Sequence, residues 1–298
     1  MANLSDQLLV VTIFVYLAAM VAYAAEYAFS VRPARALVGA GGPRPSPAKR
    51  AGTLSRLAVV AFVLAVTAHL TTLVTRGIAA DRLPWGNMYE YLLTATFVGA
   101  VAWLWVLVKH PAVRHLGLYV ALVNVLLLGL AGMVAYTPVG PLVPALNSYW
   151  RVIHVAAAIT ATGLFLVGFV GAVMYLIRAG YDRGGRRFPY TLGPRLPAAE
   201  AVEGLAFRFH TIAFPIWTFA VAAGAIWAEA AWGRYWGWDP KEVWAFITWV
   251  VYAGYLHARA TPSVRRSVVA WLAIIGWLTM MMNLFGVNLF FEGLHSYA

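Results

Sequence analysis

The chain has 298 residues, of which 62% are apolar and only 11% charged, and its mean hydropathy is +0.74. Soluble folds carry about 25% charged residues, so cytosolic enzymes, secreted domains and disordered chains are excluded and a polytopic membrane protein remains. Cysteine is absent, which removes disulfides, thiolate metal sites and cysteine nucleophiles. The net charge of +11 is what the basic cytoplasmic loops of a membrane protein supply, so nucleic-acid binding need not be invoked.

A bilayer span needs about 20 mostly apolar residues. Eight runs qualify in chain order: Gln7–Phe29, Leu57–Ala79, Met88–Val108, Leu116–Ala135, Val152–Ile177, Phe207–Trp227, Val243–Ala258 and Val268–Val287. The first carries Asp6 in place of a positive leader region and is too long for a signal peptide. The expected fold class is all-α, a polytopic integral membrane protein with eight transmembrane helices in one membrane domain over residues 1–298. Connections 30–56, 109–115, 178–206 and 259–266 hold sixteen of the 22 basic residues. The alternate connections hold only Arg76, Arg82, Arg151, Arg234 and Lys241. The positive-inside rule then puts both termini outside the cytoplasm. Gly41–Pro47 and Gly184–Pro197 read as flexible cytoplasmic loops.

The outer connection 228–244 is the most unusual stretch. Trp232, Trp236, Trp238 and Trp244 fall with Tyr235 inside 13 residues. Aromatic belts at the headgroup level are the plain explanation, but a belt is spread over many helix ends. Asp239-Pro240-Lys241-Glu242 reads as a helix start, with Asp239 as N-cap, Pro240 in the first turn and Glu242 completing a capping box. Gly233 and Gly237 permit a turn or a close approach. The result is a flat aromatic platform at the mouth of a helix, suited to a large planar ligand such as a porphyrin.

Among seven histidines, His110 and His115 belong to a short basic loop, and His210 is expected at an interface or in helix packing. His69 lies inside the second span and is a candidate by depth alone. His154 and His295 fall at the depth of the tryptophan segment and on its side, as a bis-histidine haem iron requires. His257 follows Pro240 by 17 residues, roughly 25 Å along a helix. If all three histidines bind haem, it belongs to a second, deeper site that lacks its other ligand unless His69 or another chain provides it. A membrane b-type haem electron carrier is the alternative reading. A transporter without haem would show internal repeats or broken helices, and the sequence shows neither.

Together these residues resemble the cytochrome c biogenesis protein CcsA (ResC) family. The carrying motif is the tryptophan-rich signature Trp232 to Trp249, continuing to His257-Ala-Arg259. Pro84-Trp-Gly-Asn87-Met-Tyr89-Glu90, Trp150-Arg-Val-Ile-His154 and Gly293-Leu294-His295 match in order. The resemblance implies a haem-handling protein of a holocytochrome c synthase. It would act with a ResB/Ccs1-type membrane subunit, take haem b from the cytoplasmic side and present it outside for thioether attachment to an apocytochrome c Cys-X-X-Cys-His motif. It also implies that His154 and His295 are external axial ligands and His257 the inner one, its partner ligand coming from the other subunit. Trp232, Gly233, Tyr235, Trp236, Gly237, Trp238, Asp239, Pro240, Lys241, Glu242 and Trp244 would hold the porphyrin. No catalytic group separate from haem positioning is expected. The Ala/Arg-rich composition suggests a bacterial plasma membrane in preference to a thylakoid.

Overall fold

The computed structural model describes residues 1–30, 47–142 and 148–294, and no strand occurs among the described residues. Hydrocarbon offers backbone groups no water, so apolar runs close their own hydrogen bonds as helices. The helices are α1 (Ala2–Ser30), α2 (Pro47–Ala80), α3 (Met88–Lys109), α4 (Gly117–Val134), α5 (Tyr149–Asp182), α6 (Ala199–Trp232), α7 (Pro240–Ala260) and α8 (Arg266–Met281). A π turn (Met282–Gly286) carries α8 into the short α9 (Val287–Phe290).

Each predicted span corresponds to one helix. Seven are long and apolar enough to cross a membrane, so the chain is a multi-pass, all-α membrane protein. That criterion supports seven of the eight expected spans. The missing one is α7, whose 21 residues include Lys241, Glu242, His257, Arg259 and several tryptophans and tyrosines. It nonetheless packs closely on α6 and α8. Trp217 Nε1 donates to the Ala245 carbonyl (3.3 Å), Trp249 Nε1 to Thr218 Oγ1 (2.9 Å), and the Tyr252 ring lies against Gly276 of α8.

The helices alternate in direction. One end of the bundle gathers Asp6 of α1, Arg76 of α2, Glu90 of α3 and Thr137 after α4. Arg151 of α5 reaches the same end through the Trp85 carbonyl. The opposite end gathers Arg114 with Glu26 (3.1 Å) and Arg259 with Glu203. Helix α5 is central, with 78% of its most apolar window buried inside the protein.

The connection after α5 differs from expectation. Residues Tyr190–Arg195 form a 3-10 turn, and the Tyr190 ring lies over Gly180 and Gly185. Arg178 Nη1 donates to the Leu196 carbonyl at 2.8 Å. A glycine- and proline-rich composition permitted this compact dock, so 184–197 is a folded strap. The expected loop Gly41–Pro47 falls, except for Pro47, outside the described residues.

Candidate functional site

Local chemistry shapes the tryptophan loop. Helix α6 stops at Gly233, whose φ of +71° is the left-handed C-cap that glycine adopts without steric cost. Helix α7 starts as expected, with Asp239 as N-cap, Pro240 in the first turn and Glu242 completing the capping box. Glu242 Oε2 accepts hydrogen bonds from Gly237 N (2.8 Å) and Asp239 N (3.1 Å). These are the two amides flanking Trp238, which adopts φ +59°. That conformation costs a side-chain-bearing residue roughly 1–2 kcal/mol. A carboxylate taking two backbone bonds offsets such a cost. The turn leaves Trp238 71% exposed at the tip of the loop.

Behind this loop lies a cavity of about 160 Å³. Its walls are aromatic and small: Trp85 from the turn before α3, Tyr91 from the first turn of α3, Trp217, Gly224 and Trp227 from α6, and Tyr235 and Trp236 from the loop. Its α6 wall runs from Trp217 to Ala228, about 16 Å along that helix. The π turn places Asn283 and Leu284 in the wall. Asn283 is 4% exposed, and its Oδ1 is buried without a hydrogen-bond partner.

His154, in the second turn of α5, lines this cavity. Its Nδ1–H donates to the Ala220 carbonyl at 2.8 Å. A carbonyl only accepts, so the proton is on Nδ1 and Nε2 carries the lone pair. This arrangement, one imidazole nitrogen bonded to a backbone carbonyl, is how metal-binding histidines are oriented. The ring lies nearly parallel to Trp227 (centroids 5.8 Å, 23°), and Gly224 supplies the space it occupies.

Two cations, Arg151 and Lys241, line the cavity. Arg151 is 7% exposed and donates to the Trp85 carbonyl at 3.1 Å. Lys241 Nζ donates to Asn288 Oδ1 (2.7 Å) and lies 3.5 Å from Met88 Sδ. Burial pushes its ammonium down to about 8, against the pull of Asp239. Arg234 lies across Gly237, where no Cβ fits, and is 4.0 Å from Glu242 Oε1.

Of the sequence-predicted residues, His154, Tyr235, Trp236, Lys241 and Glu242 line the cavity. Gly233, Gly237, Asp239 and Pro240 instead build the turn and the cap, and Trp232 packs on Trp227 (5.1 Å). Trp238 projects outward, and Trp244 is half-buried on α7. His257 is exposed near the far end of α7, about 24 Å from Lys241 along the helix. His295 lies outside the described residues. The last described residue, Leu294, donates its N–H to Asp239 Oδ2 at 2.8 Å. His69 is fully buried against Tyr16 and Phe97, with 3.3 Å between its Nδ1 and the Tyr16 hydroxyl. His210 is fully buried rather than interfacial. Its Nδ1–H donates to Ala206 O (2.7 Å), and Phe165, Tyr252 and Tyr255 surround it.

Sequence reasoning missed Trp217, Trp227 and Asn283. A tryptophan at helical spacing looks the same whether it faces lipid, a neighbour or a cavity. The period of three to four residues joining Trp217, Ala220, Gly224 and Trp227 was the available signal.

The family model of cytochrome c assembly proteins matches residues 85–295. The chain belongs to that family. Cytochrome c biogenesis protein CcsA of Gloeobacter violaceus is 31% identical, over 84% of this chain and 88% of its own. CcsA of Guillardia theta is 33% identical, over 79% and 83%. CcsA of Synechocystis is 31% identical, over 75% and 82%. The solved structure of cytochrome c heme lyase CcmF superposes with a TM-score of 0.58 at 19% identity, covering 94% of this chain and 46% of that one. The fold is therefore shared with about half of a longer protein. This family member serves cytochrome c biogenesis from within a membrane, and its cavity is the place to seek that work.

Proposed function

We propose that the cavity holds haem b for covalent attachment to apocytochrome c, with His154 as an axial ligand from α5 and His295 as the other. The observation that carries this reading is the His154 imidazole, its Nδ1–H fixed on a backbone carbonyl, in the wall of an aromatic cleft. Among the described residues no group of three His, Cys, Asp or Glu could hold a bare metal ion. An iron already ringed by a porphyrin needs only axial ligands, which fits this donor set. Flat walls suit the macrocycle, and Arg151, Lys241 and Arg234 suit its propionates.

The attachment adds a cysteine S–H of the Cys-X-X-Cys-His motif across a haem vinyl group. The chain's share is to orient the ring and exclude other geometries. A ResB-type subunit completes the holocytochrome c synthase and gives the second ligand at an inner site on His257. The exposed stripe Phe246, Val250, Gly254 and His257 supports a neighbour on that face of α7. Counting α7 makes eight spans, with both termini extracytoplasmic in a bacterial plasma membrane and haem entering from the cytoplasmic side.

The test is the full chain co-purified with its partner. His154→Ala is expected to remove most of the outer-site Soret absorbance and to abolish covalent haem on a co-expressed apocytochrome. Full covalent attachment in His154→Ala would end the proposal. Haem that stays bound while no covalent product ever forms with the unsubstituted protein would favour the b-type electron carrier.

Lys241 adds a pH signature. Its charge is present below about 8 and is lost as pH rises through that value, because burial favours the neutral amine. Haem affinity is expected to fall as pH is raised past about 8, and Lys241→Met to bind weakly with no such step. Equilibrium haem titrations at pH 6.5 to 9.5 (roughly the window around that pKa) check this. A step of unchanged size in Lys241→Met would assign it elsewhere.

A further inference from the structure

Asn283 stands in the cavity wall, on the π turn that joins α8 to α9. Such turns insert an extra residue into a helix and are frequent at functional sites. The side chain is 4% exposed, and its Oδ1 is buried without a hydrogen-bond partner. A buried polar atom left unpaired destabilises a fold, and an apolar side chain of similar size would not. The next asparagine along the chain is used differently. Asn288 Nδ2 donates to the Leu284 carbonyl (2.7 Å), and its Oδ1 accepts from Lys241 Nζ (2.7 Å). Asn288 thus holds an ammonium group that lines the same cavity. Asn283 brings an amide with an unspent oxygen to walls that are otherwise largely aromatic, among them Tyr91, Trp217 and Trp227.

We infer that Asn283 binds a carboxyl group of the molecule held in the cavity, which on the proposed reading is a haem propionate. The inference rests on that reading. The rim of haem b carries methyl and vinyl groups, and the propionates are its only polar edge groups. A carboxyl group complements an amide. A carboxylate oxygen accepts from Nδ2–H, and the O–H of the protonated acid donates to Oδ1. Lys241 adds charge but little direction, since an ammonium group is a point charge on a flexible stem. The amide adds direction. A propionate held at this wall turns the vinyl-bearing edge of the ring away from it, so Asn283 sets the rotation of the porphyrin within the cavity.

The test compares haem b with its dimethyl ester, which keeps the ring, the iron and the vinyls but loses both carboxyl groups. The full chain with its partner is freed of haem and titrated with each, and the part of the Soret change that His154→Ala removes is read. The unsubstituted protein is expected to bind the ester more weakly than haem. Asn283→Leu, of similar size, is expected to weaken haem roughly 10- to 100-fold, the scale of a hydrogen bond to a charged group, and to leave ester affinity unchanged. Asn283→Ser, which cannot overfill the wall, is read in the same way. Thermal unfolding of haem-free Asn283→Leu is expected at or above that of the unsubstituted protein, because an unpaired buried amide has been removed. A role in packing alone would lower it. A haem-selective loss in either variant supports the inference. Equal losses for haem and ester in both variants, or no loss in either, overturn it, as does an unsubstituted protein that binds both forms alike. If the unsubstituted protein shows no Soret change that depends on His154, the proposed haem site fails and this inference with it. If that change is present and the asparagine variants do not discriminate, the haem site stands and only the inference fails.

Discussion

Gly224→Ala is expected to weaken haem binding about 10- to 100-fold while leaving the bundle folded, the range found when a partner of a metal-binding histidine is disturbed. An added Cβ would lie 2.7 Å from His154 Nδ1 and 2.8 Å from its Cε1. Neither approach is tolerable, so the imidazole must swing away. That motion breaks its 2.8 Å bond to the Ala220 carbonyl, the contact that keeps the proton on Nδ1. It also disturbs the nearly parallel packing on Trp227. The helix itself gains, since alanine in a helix interior is favoured over glycine by about 1 kcal/mol. A drop in haem with unchanged or higher helix stability therefore separates ligand orientation from folding. Haem titration of the purified complex, with circular dichroism on the same samples, measures both. Unsubstituted haem affinity in Gly224→Ala would mean that the ring tolerates displacement and that its carbonyl bond does not matter.

What could be read from the residues follows the range of the physics. The start of α7 was legible because capping is local: Asp239, Pro240 and Glu242 act within one turn. Gly233 was legible for the same reason. The spans were legible because burial in lipid requires a long apolar run. Their ends were not, since α6 begins at Ala199, eight residues before its apolar stretch, where hydropathy carries no signal. The apolarity of α7 was overestimated because its aromatic residues are large and half-polar, and packing on α6 and α8 compensates for what its composition lacks. The cavity was partly legible. His154 and the loop stood out, whereas Trp217, Trp227 and Gly224 became a wall only when α6 met α5. The π turn at Met282–Gly286 has no proline or sharp composition change to announce it, so Asn283 could not be foreseen as a cavity residue. The Asp239–Leu294 bond spans 55 residues and is purely tertiary.

The charged cluster behind the cavity sets its stability, and Glu90→Ala is expected to cost about 3–5 kcal/mol of apparent stability, the scale for breaking a buried ion pair from one side. Glu90 is fully buried and accepts from Arg76 Nε (3.0 Å), Arg82 Nη1 (2.6 Å) and Gly86 N (2.7 Å). Arg76, 1% exposed, also donates to the Thr137 carbonyl, has Asp6 Oδ1 at 3.7 Å and lies over the Tyr89 ring. One carboxylate therefore joins α2, α3 and the turn that carries Trp85 and Gly86 into the cavity wall. Deleting it leaves two guanidinium groups with one carboxylate, Asp6, that faces only Arg76. Glu90→Gln keeps an acceptor but loses the charge, so it should fall between the unsubstituted chain and Glu90→Ala. Arg82→Ala/Glu90→Ala removes one of the stranded cations and leaves Arg76 with Asp6, so the pair is expected to cost less than the sum of its single substitutions. Thermal unfolding in detergent, followed by tryptophan fluorescence, measures the series. Strictly additive losses would show that the guanidinium groups are solvated independently and that the cluster does not act as a unit. The order Glu90→Ala worst, Glu90→Gln intermediate and the double substitution less than additive is the pattern a shared buried carboxylate dictates, because the dominant cost is the uncompensated charge left behind.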